Sequence, residues 1–502
     1  MVSYSMFQNA AEVREIPSSK EYKVYINGQE IPVYACRISK YPFNTWWPGH
    51  QRQINQTELV SFVNLVSDEE VKVEVEPLTK VAYQRVMVKP YFKGVETERV
   101  GDKVVFTLKE NGGYVFELDD YHGLLYIFNN KPILCENPEN VTYYFGKGVH
   151  YAGKIILKSN ESIYIDKDAF VYGCIYANKA ENLHIYGNGI FDDGVEERIN
   201  ANCYTMYPNG NVKFFDCNNI KIEGVGFTNS AIWCVNIFHC FDVDIDGIKA
   251  FGQWRYNTDG IDIVNSQRIT IRNSFIHSFD DAITVKGIDD YADTSNTDIL
   301  VENCVLWCDW GKTCEIGLET MCREYDNITF RNCDILRAGN TALDIQNGDC
   351  AEVHDILFEN IRIEFDGCYT PYVLQLSDDD KYNMQDQLEV AEIVSFGNPR
   401  FREMDMYAGL CLPDFSIGLK KGDKEYASIR DITVRDITVY ADDRVMREKG
   451  EKGMVIKVVN GIQTSNFKNI NVENITLNGK RLKADEITIK LDGVDKKVLT
   501  VK

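Results

Sequence analysis

Two short stretches carry carboxylates at a spacing that could do chemistry: Asn257-Thr258-Asp259-Gly260 and, 21 residues past Asp259, the pair Asp280-Asp281. Three carboxylates brought together cannot all ionise cheaply, so at least one keeps its proton while its neighbours stay charged. An acid beside bases is what glycoside hydrolysis needs: the acid protonates the leaving oxygen and a carboxylate activates water. Two blander readings compete. Aspartates cap turns, but a cap takes one per turn, not three in neighbouring segments. Clustered carboxylates also suit calcium. The acid–base reading is preferred to both. Trp254, Arg255, Tyr256, Trp233 and Trp310 lie close by in sequence, and aromatic faces stack on sugar rings. For Trp233 a core position is an equal alternative, whereas Trp254 is expected in a groove.

The elements that must hold these residues are strands. A five-residue phrase returns as Asn219–Glu223 (NIKIE), Asp242–Asp246 (DVDID), Arg268–Arg272 (RITIR), Asp298–Glu302 (DILVE), Asn327–Arg331 (NITFR) and Asp355–Glu359 (DILFE), then as Asp431–Arg435 and Asn469–Glu473. From 219 to 355 the steps are 23, 26, 30, 29 and 28 residues. A repeat of that length, all strand, predicts a parallel β-solenoid. A second strand per coil is aligned over Trp233–Ile237, Asp259–Ile263, Asp281–Val285 and Leu343–Ile345. Alternation turns Val235/Ile237, Ile261/Ile263, Ile283/Val285 and Leu343/Ile345 inward, and it turns Asn236, Asp262, Thr284 and Asp344 outward as a polar ladder along a groove. Lys286 shares the ladder's parity: it could bind a hydroxyl or a carboxylate, or stay solvated. Asp259 and Asp281 would point inward under strict alternation, so the strands must break there. Residues from about 367 to 424, including Ser377-Asp378-Asp379-Asp380, are expected to form a wall or lid rather than a coil. Before the repeats, Tyr22 to Ile133 shows hairpin signals such as Asn27-Gly28 and predicts an antiparallel β-sandwich. The expected division is a sandwich over 1–135 and a parallel β-helix over 136–502.

Asn-Thr-Asp followed by Asp-Asp resembles the motifs of the polygalacturonases, glycoside hydrolase family 28, and equally those of the dextranase/isopullulanase family 49 of the same clan. The resemblance implies a right-handed parallel β-helix and an inverting hydrolase, with Asp280 as general acid and Asp259 and Asp281 holding the water. Gly311-Lys312-Thr313-Cys314-Glu315-Ile316-Gly317 fills the slot of the family 28 GHG motif, so Lys312 replaces its histidine. Asp344-Ile345-Gln346 fills the RIK slot, where an aspartate would repel a uronate. Thr45-Trp46-Trp47-Pro48-Gly49 running on to Ile54-Asn55, and Trp307 to Gly317, are more like family 49; Trp46-Trp47 is expected to pack between domains. Substrate contacts are assigned to Asn257, Trp254, Arg255, Tyr256, Lys286, Lys312, Glu315, Asp344 and Gln346.

The formal net charge of −22 repels phosphate backbones and anionic membrane surfaces. Neither nucleic acid nor membrane is an expected partner; an oligosaccharide or polysaccharide is. Solenoids of this kind occur as monomers or trimers, and the oligomeric state is left open. The seven histidines are dispersed and no zinc-type spacing occurs, so no metal and no cofactor are called for. Fifteen cysteines without a CxxC pair and an N-terminus without a secretory pattern suggest a reduced, cytoplasmic protein. The leading expectation is a metal-independent inverting hydrolase of a neutral α-linked glycan, dextranase/isopullulanase-like, acting in carbohydrate catabolism. Its alternatives are a polygalacturonase-type enzyme gripping carboxylates through Lys286 and Lys312, a polysaccharide lyase, and a non-catalytic sugar-binding solenoid.

Overall fold

The computed structural model describes residues 1–7, 16–39, 57–196, 205–339, 341–349, 351–365, 392–397, 428–448, 454–459 and 466–502. Each repeated phrase forms a strand whose alternate apolar residues, such as Val243/Ile245, Ile269/Ile271 and Ile328/Phe330, enter one continuous core. The residue that opens each phrase has left-handed φ, for example Asn219 at 54°, Asp242 at 57°, Asp298 at 58° and Asn327 at 53°. Asparagine and aspartate tolerate that region, which is why they recur there. Arg268 adopts it too, at 58°, where its guanidinium forks onto Asp242 with bonds of 2.6 and 2.9 Å.

Phrase strands pair in parallel register from coil to coil, as Val243↔Ile269↔Ile299↔Ile328↔Ile356. After the phrase one left-handed residue turns the chain into a short second strand; Gly247 and Asn273 do this at 65° and 53°. A longer turn leads to a third strand. In one coil these three are Phe241–Asp246, Lys249–Phe251 and Ile261–Val264. The result is a right-handed parallel β-helix of 30 strands among the described residues, from Tyr143–Phe145 to Leu499–Val501, of which Lys480–Arg481 pairs antiparallel. The one α-helix among the described residues is Asp443–Glu448.

Two N-terminal sheets, of six and five strands among the described residues, precede it. They are antiparallel but for one pair: Thr57–Ser67 runs parallel to Asp120–Asn130. Both strands are buried on two faces, because one face meets the second sheet and the other meets the solenoid, and such strands read as near-continuous apolar runs. Across the solenoid contact, Phe62, Tyr126 and Phe128 pack on Phe251, Phe275 and Trp307. Gly113 is required there, since a Cβ would lie 2.3 Å from the Phe275 ring.

Three expectations change. Glu392–Gly397 is a strand paired with Thr341–Gln346 and Val455–Val459, so that part of 367–424 continues a coil; the remainder, with Ser377–Asp380, lies outside the described residues. The outward ladder reads Asn236↔Asp262↔Thr284↔Glu315↔Asp344, with Glu315 on a rung that the sequence alignment omitted. These five side chains are also fully buried rather than open. They are short and tied down beside the strands: Asn236 donates to Val212 O and Trp233 O, and Thr284 to Gly317 O. The segment Thr45–Gly49 with Trp46-Trp47, and Ile54-Asn55, lie outside the described residues.

Candidate active site

The aspartates occupy the long turn between second and third strands. Backbone bonds clamp successive turns: Gly260 N to Asp281 O at 2.8 Å, Ile261 N to Ala282 O at 2.9 Å, Ala282 N to Lys312 O at 2.8 Å and Ile283 N to Thr313 O at 3.1 Å. Asp259, Asp281 and Lys312 therefore stack one coil apart, about 4.8 Å per step. The third strands begin only at Ile261 and Ile283, so both aspartates escape the alternation that would have sent them into the core. Gly311 closes the arrangement. A Cβ there would stand 2.2 Å from Asp281 Oδ1 and 2.6 Å from Asp280 Oδ1, so only glycine lets this turn pass against both carboxyls.

Two lysines divide the charge. Lys286 Nζ lies 2.8 Å from Asp259 Oδ2, 3.0 Å from Asp262 Oδ1 and 3.8 Å from Asp281 Oδ2. It also sits 4.0 Å above the Trp233 ring. Lys312 donates its backbone N–H to Asp281 Oδ1 at 2.9 Å, and its Nζ lies 3.7 Å from that oxygen and 2.8 Å from Glu315 Oε1.

The protonation states separate accordingly. Burial opposes charge on Asp281, but Lys312, a hydrogen bond from Glu315 and Lys286 outweigh it and hold this carboxylate well below its usual range. Burial, then the charges of Asp259 and Asp281, push Asp280 well above it. Asp280 makes no ion pair among the described residues; its side-chain partner is Asn257 Nδ2 at 3.4 Å. Burial raises Asp259 while Lys286 restrains the rise, leaving it at about 6. Burial and the Asp281 charge push Glu315 well above its usual range, and burial does the same for Asp262. Of the three aspartates, Asp280 is thus pushed toward its protonated form, Asp281 toward its ionised form, and Asp259 titrates near 6.

Of the residues expected here, Asp259, Asp280, Asp281, Asn257, Lys286, Lys312 and Glu315 come together. Asp344 pairs with Glu315 on the next rung and takes the Gln346 amide. Tyr256 is buried edge-on against Phe279 at 5.2 Å, and Trp310 stacks over Phe279 at 6.2 Å. Trp254 and Arg255 do not join the carboxylates. The indole donates to Asn229 Oδ1 at 2.7 Å and the guanidinium to the Asn229 and Ser230 carbonyls at 2.8 and 3.0 Å. Both line a cavity of about 110 Å³ against Cys36 and Arg37. Trp233 belongs to an aromatic stack with Phe238, the core alternative of the two. Asp262, read as a ladder rung, and Gly311, read as part of the GHG slot, were not assigned to the site; the signals were an aspartate three residues past Asp259 and a glycine before the lysine that replaces a histidine.

Residues 145–387 match the family model described as glycosyl hydrolases family 28. Probable endopolygalacturonase D of Neosartorya fischeri is 29% identical over 159 residues, 28% of this chain and 32% of that protein. Exopolygalacturonase clone GBGE184 of Arabidopsis thaliana is 24% identical over 258 residues, 46% of this chain and 58% of that one. The chain thus spans about a third of the first relative and over half of the second. Dex49A from Penicillium minioluteum has a similar structure, with a TM-score of 0.62 over 99% of this chain and 98% of its own at 11% identity; that likeness is one of fold. The family 28 match takes in the three aspartates, Lys312 and Asp344, and the chain is a distant homologue of the endopolygalacturonases.

Proposed function

We propose that the protein is an inverting glycoside hydrolase of the family 28 type, acting on α-linked, galacturonate-containing oligosaccharides. The observation that carries this is the unequal company of two adjacent carboxyls: Asp281 accepts the Lys312 backbone N–H at 2.9 Å with the ammonium 3.7 Å away, whereas Asp280 has no ion pair among the described residues and meets Asn257 at 3.4 Å. Asp280 holds the proton that a leaving glycosidic oxygen must receive. Asp281, kept ionised by Lys312, and Asp259, ionised above about pH 6, orient and deprotonate the attacking water. Lys286 limits the cost of two neighbouring carboxylates becoming negative together. The relatives matched in sequence are named polygalacturonases, which supports the uronate substrate over the dextran-like one expected from the sequence.

One observation favours the neutral-sugar reading: Lys286 and Lys312 are both engaged by carboxylates within the site, and Asp344 stands one rung beyond. Reducing-end release from oligogalacturonides and α-gluco-oligosaccharides, with and without EDTA, separates the two. Release from galacturonides, unaffected by EDTA, is expected; release from gluco-oligosaccharides alone would reverse the assignment. An unsaturated, ultraviolet-absorbing product would point to a lyase. The eleven described cysteines are free thiols, which supports a reducing compartment such as the cytoplasm.

A further inference from the structure

A groove of about 760 Å³ runs along the seam between the sandwich and the solenoid. It lies at the corner between first and second strands, a different corner from that of the aspartates. Its solenoid wall is the column of left-handed corner residues from six successive coils, Gly224, Gly247, Asn273, Asn303, Asn332 and Asn360. At ~4.8 Å per coil this column is about 24 Å long. The asparagine amides bond along it, Asn360 to Asn332 at 2.8 Å and Asn303 to Asn273 at 3.5 Å. Each amide has two donors and an acceptor oxygen, so such a column keeps polar capacity for a ligand lying across it.

Lys249 is buried against the same groove. Its Nζ donates to Asn130 Oδ1 at 2.7 Å and to Gly224 O, which ties the sandwich to the solenoid. In its charged form the amine has three donors, and among the described residues the third finds no acceptor. Among the described residues no carboxylate pairs with it: burial alone acts on Lys249 and pulls it down to about 7, so it is charged below about that pH. The carboxylates that line the groove already have cations. Glu223 has Lys221 and His184, Asp246 has Arg272, Asp334 has Arg362 and Glu110 has Lys93. A strut between domains accounts for two of the three donors. It does not account for a buried lysine that, wherever it is protonated, has no counter-charge and faces a cavity of this size, because a buried charge is otherwise paired.

We propose that this groove is a second saccharide-binding site, in which Lys249 takes the carboxylate of a uronate-containing oligosaccharide and the asparagine column takes its hydroxyls. The choice of a sugar acid rests on the substrate class proposed above; the existence of an anion site does not. The experiment is calorimetric titration with tetragalacturonate of Asp280→Asn, and of Asp280→Asn carrying either Lys249→Met or Asn303→Asp. Asn303→Asp guards against misfolding at the buried lysine, since Asp436 holds the same left-handed corner at 58°. Each double variant is expected to bind one equivalent fewer than Asp280→Asn, with an unchanged circular dichroism spectrum, and maltotetraose is expected not to occupy the groove. Equal stoichiometry in all three proteins, or a maltotetraose equivalent lost with Lys249, would overturn the proposal. Hydrolysis by the unmutated protein is measured separately. Turnover of galacturonides without a Lys249-dependent equivalent sinks the groove alone, and the equivalent without turnover sinks the catalytic reading alone.

Discussion

Lys286 and Lys249 are both buried ammonium groups on the same solenoid, and their environments drive them in opposite directions. Lys286 sits among Asp259, Asp262 and Asp281 and is held charged well above the usual lysine range, although burial works against it. Lys249 has amide and carbonyl oxygens only and falls to about 7. Counter-charge, not depth, sets the state of a buried lysine here. The first site sets lysines against its carboxyls; the second has no carboxylate beside its lysine among the described residues.

The largest effect tests the first site. Asp280→Asn should lower kcat by roughly 10²–10⁴, the usual contribution of a positioned general acid. Asparagine resembles the protonated carboxyl already there, so stability should barely change. Activity surviving within tenfold would remove Asp280 from that role.

Lys286→Met strips three carboxyls of a shared cation. Removing one partner of a buried ion pair costs about 3–5 kcal/mol, read from denaturant midpoints. In the unmutated protein kcat/KM should rise through about pH 6 as Asp259 ionises, then fall where Asp280 loses its proton. Without Lys286 the rise should move alkaline by about one pH unit or more. An unmoved acid limb would mean that Lys286 does not restrain Asp259.

Lys249 should give a pH dependence that Lys286 does not. Its folded pKa lies below its unfolded value, so between about pH 7 and 10 the unfolded chain binds more protons. Stability then rises with pH by roughly 1.4 kcal/mol per unit from this one group. Lys249→Met should abolish that slope. The contribution of Lys286, whose folded pKa is raised, should be constant over the same range and disappear only above the unfolded lysine value. Parallel stability profiles for the unmutated protein and Lys249→Met would show that Lys249 finds a counter-charge in solution.

The contrast also shows what could be seen in the chain beforehand. The phrases were legible because two-residue alternation and a left-handed opening residue are both local: Ile269 and Ile271 declare the core face, and Asp242 or Asn327 the corner. Asp259, Asp280 and Asp281 were legible from coil spacing. Partners were not. Lys286 meets Asp259 across 27 residues, a contact set by coil register, and register was misread by one rung when Cys314–Thr320 was treated as a motif rather than a strand. Trp254 and Arg255 failed for a different reason. Proximity in sequence to Asp259 said nothing of the Asn229 and Ser230 carbonyls one coil back that draw the guanidinium away. Lys249 carried no signal in the chain because its neighbour Asn130 belongs to the sandwich.

The omitted rung supplies the smallest and most discriminating effect. Glu315 is buried beside Asp281, and both contact Lys312. If the proton of this pair resides on Glu315, the side chain acts as a donor to the Asp281 carboxylate, and glutamine reproduces that donor without charge. Glu315→Gln should then cost less than about threefold in kcat/KM, under 0.7 kcal/mol, with the pH profile nearly unmoved. The same exchange at Asp281, which is ionised, removes a charge that the water-activating step uses and should cost at least tenfold more. Equal losses at the two positions would mean that the proton is shared evenly. Lys312 would then be neutralising Glu315 as much as Asp281, and the lysine standing in the histidine slot would serve the ladder rather than the catalytic pair.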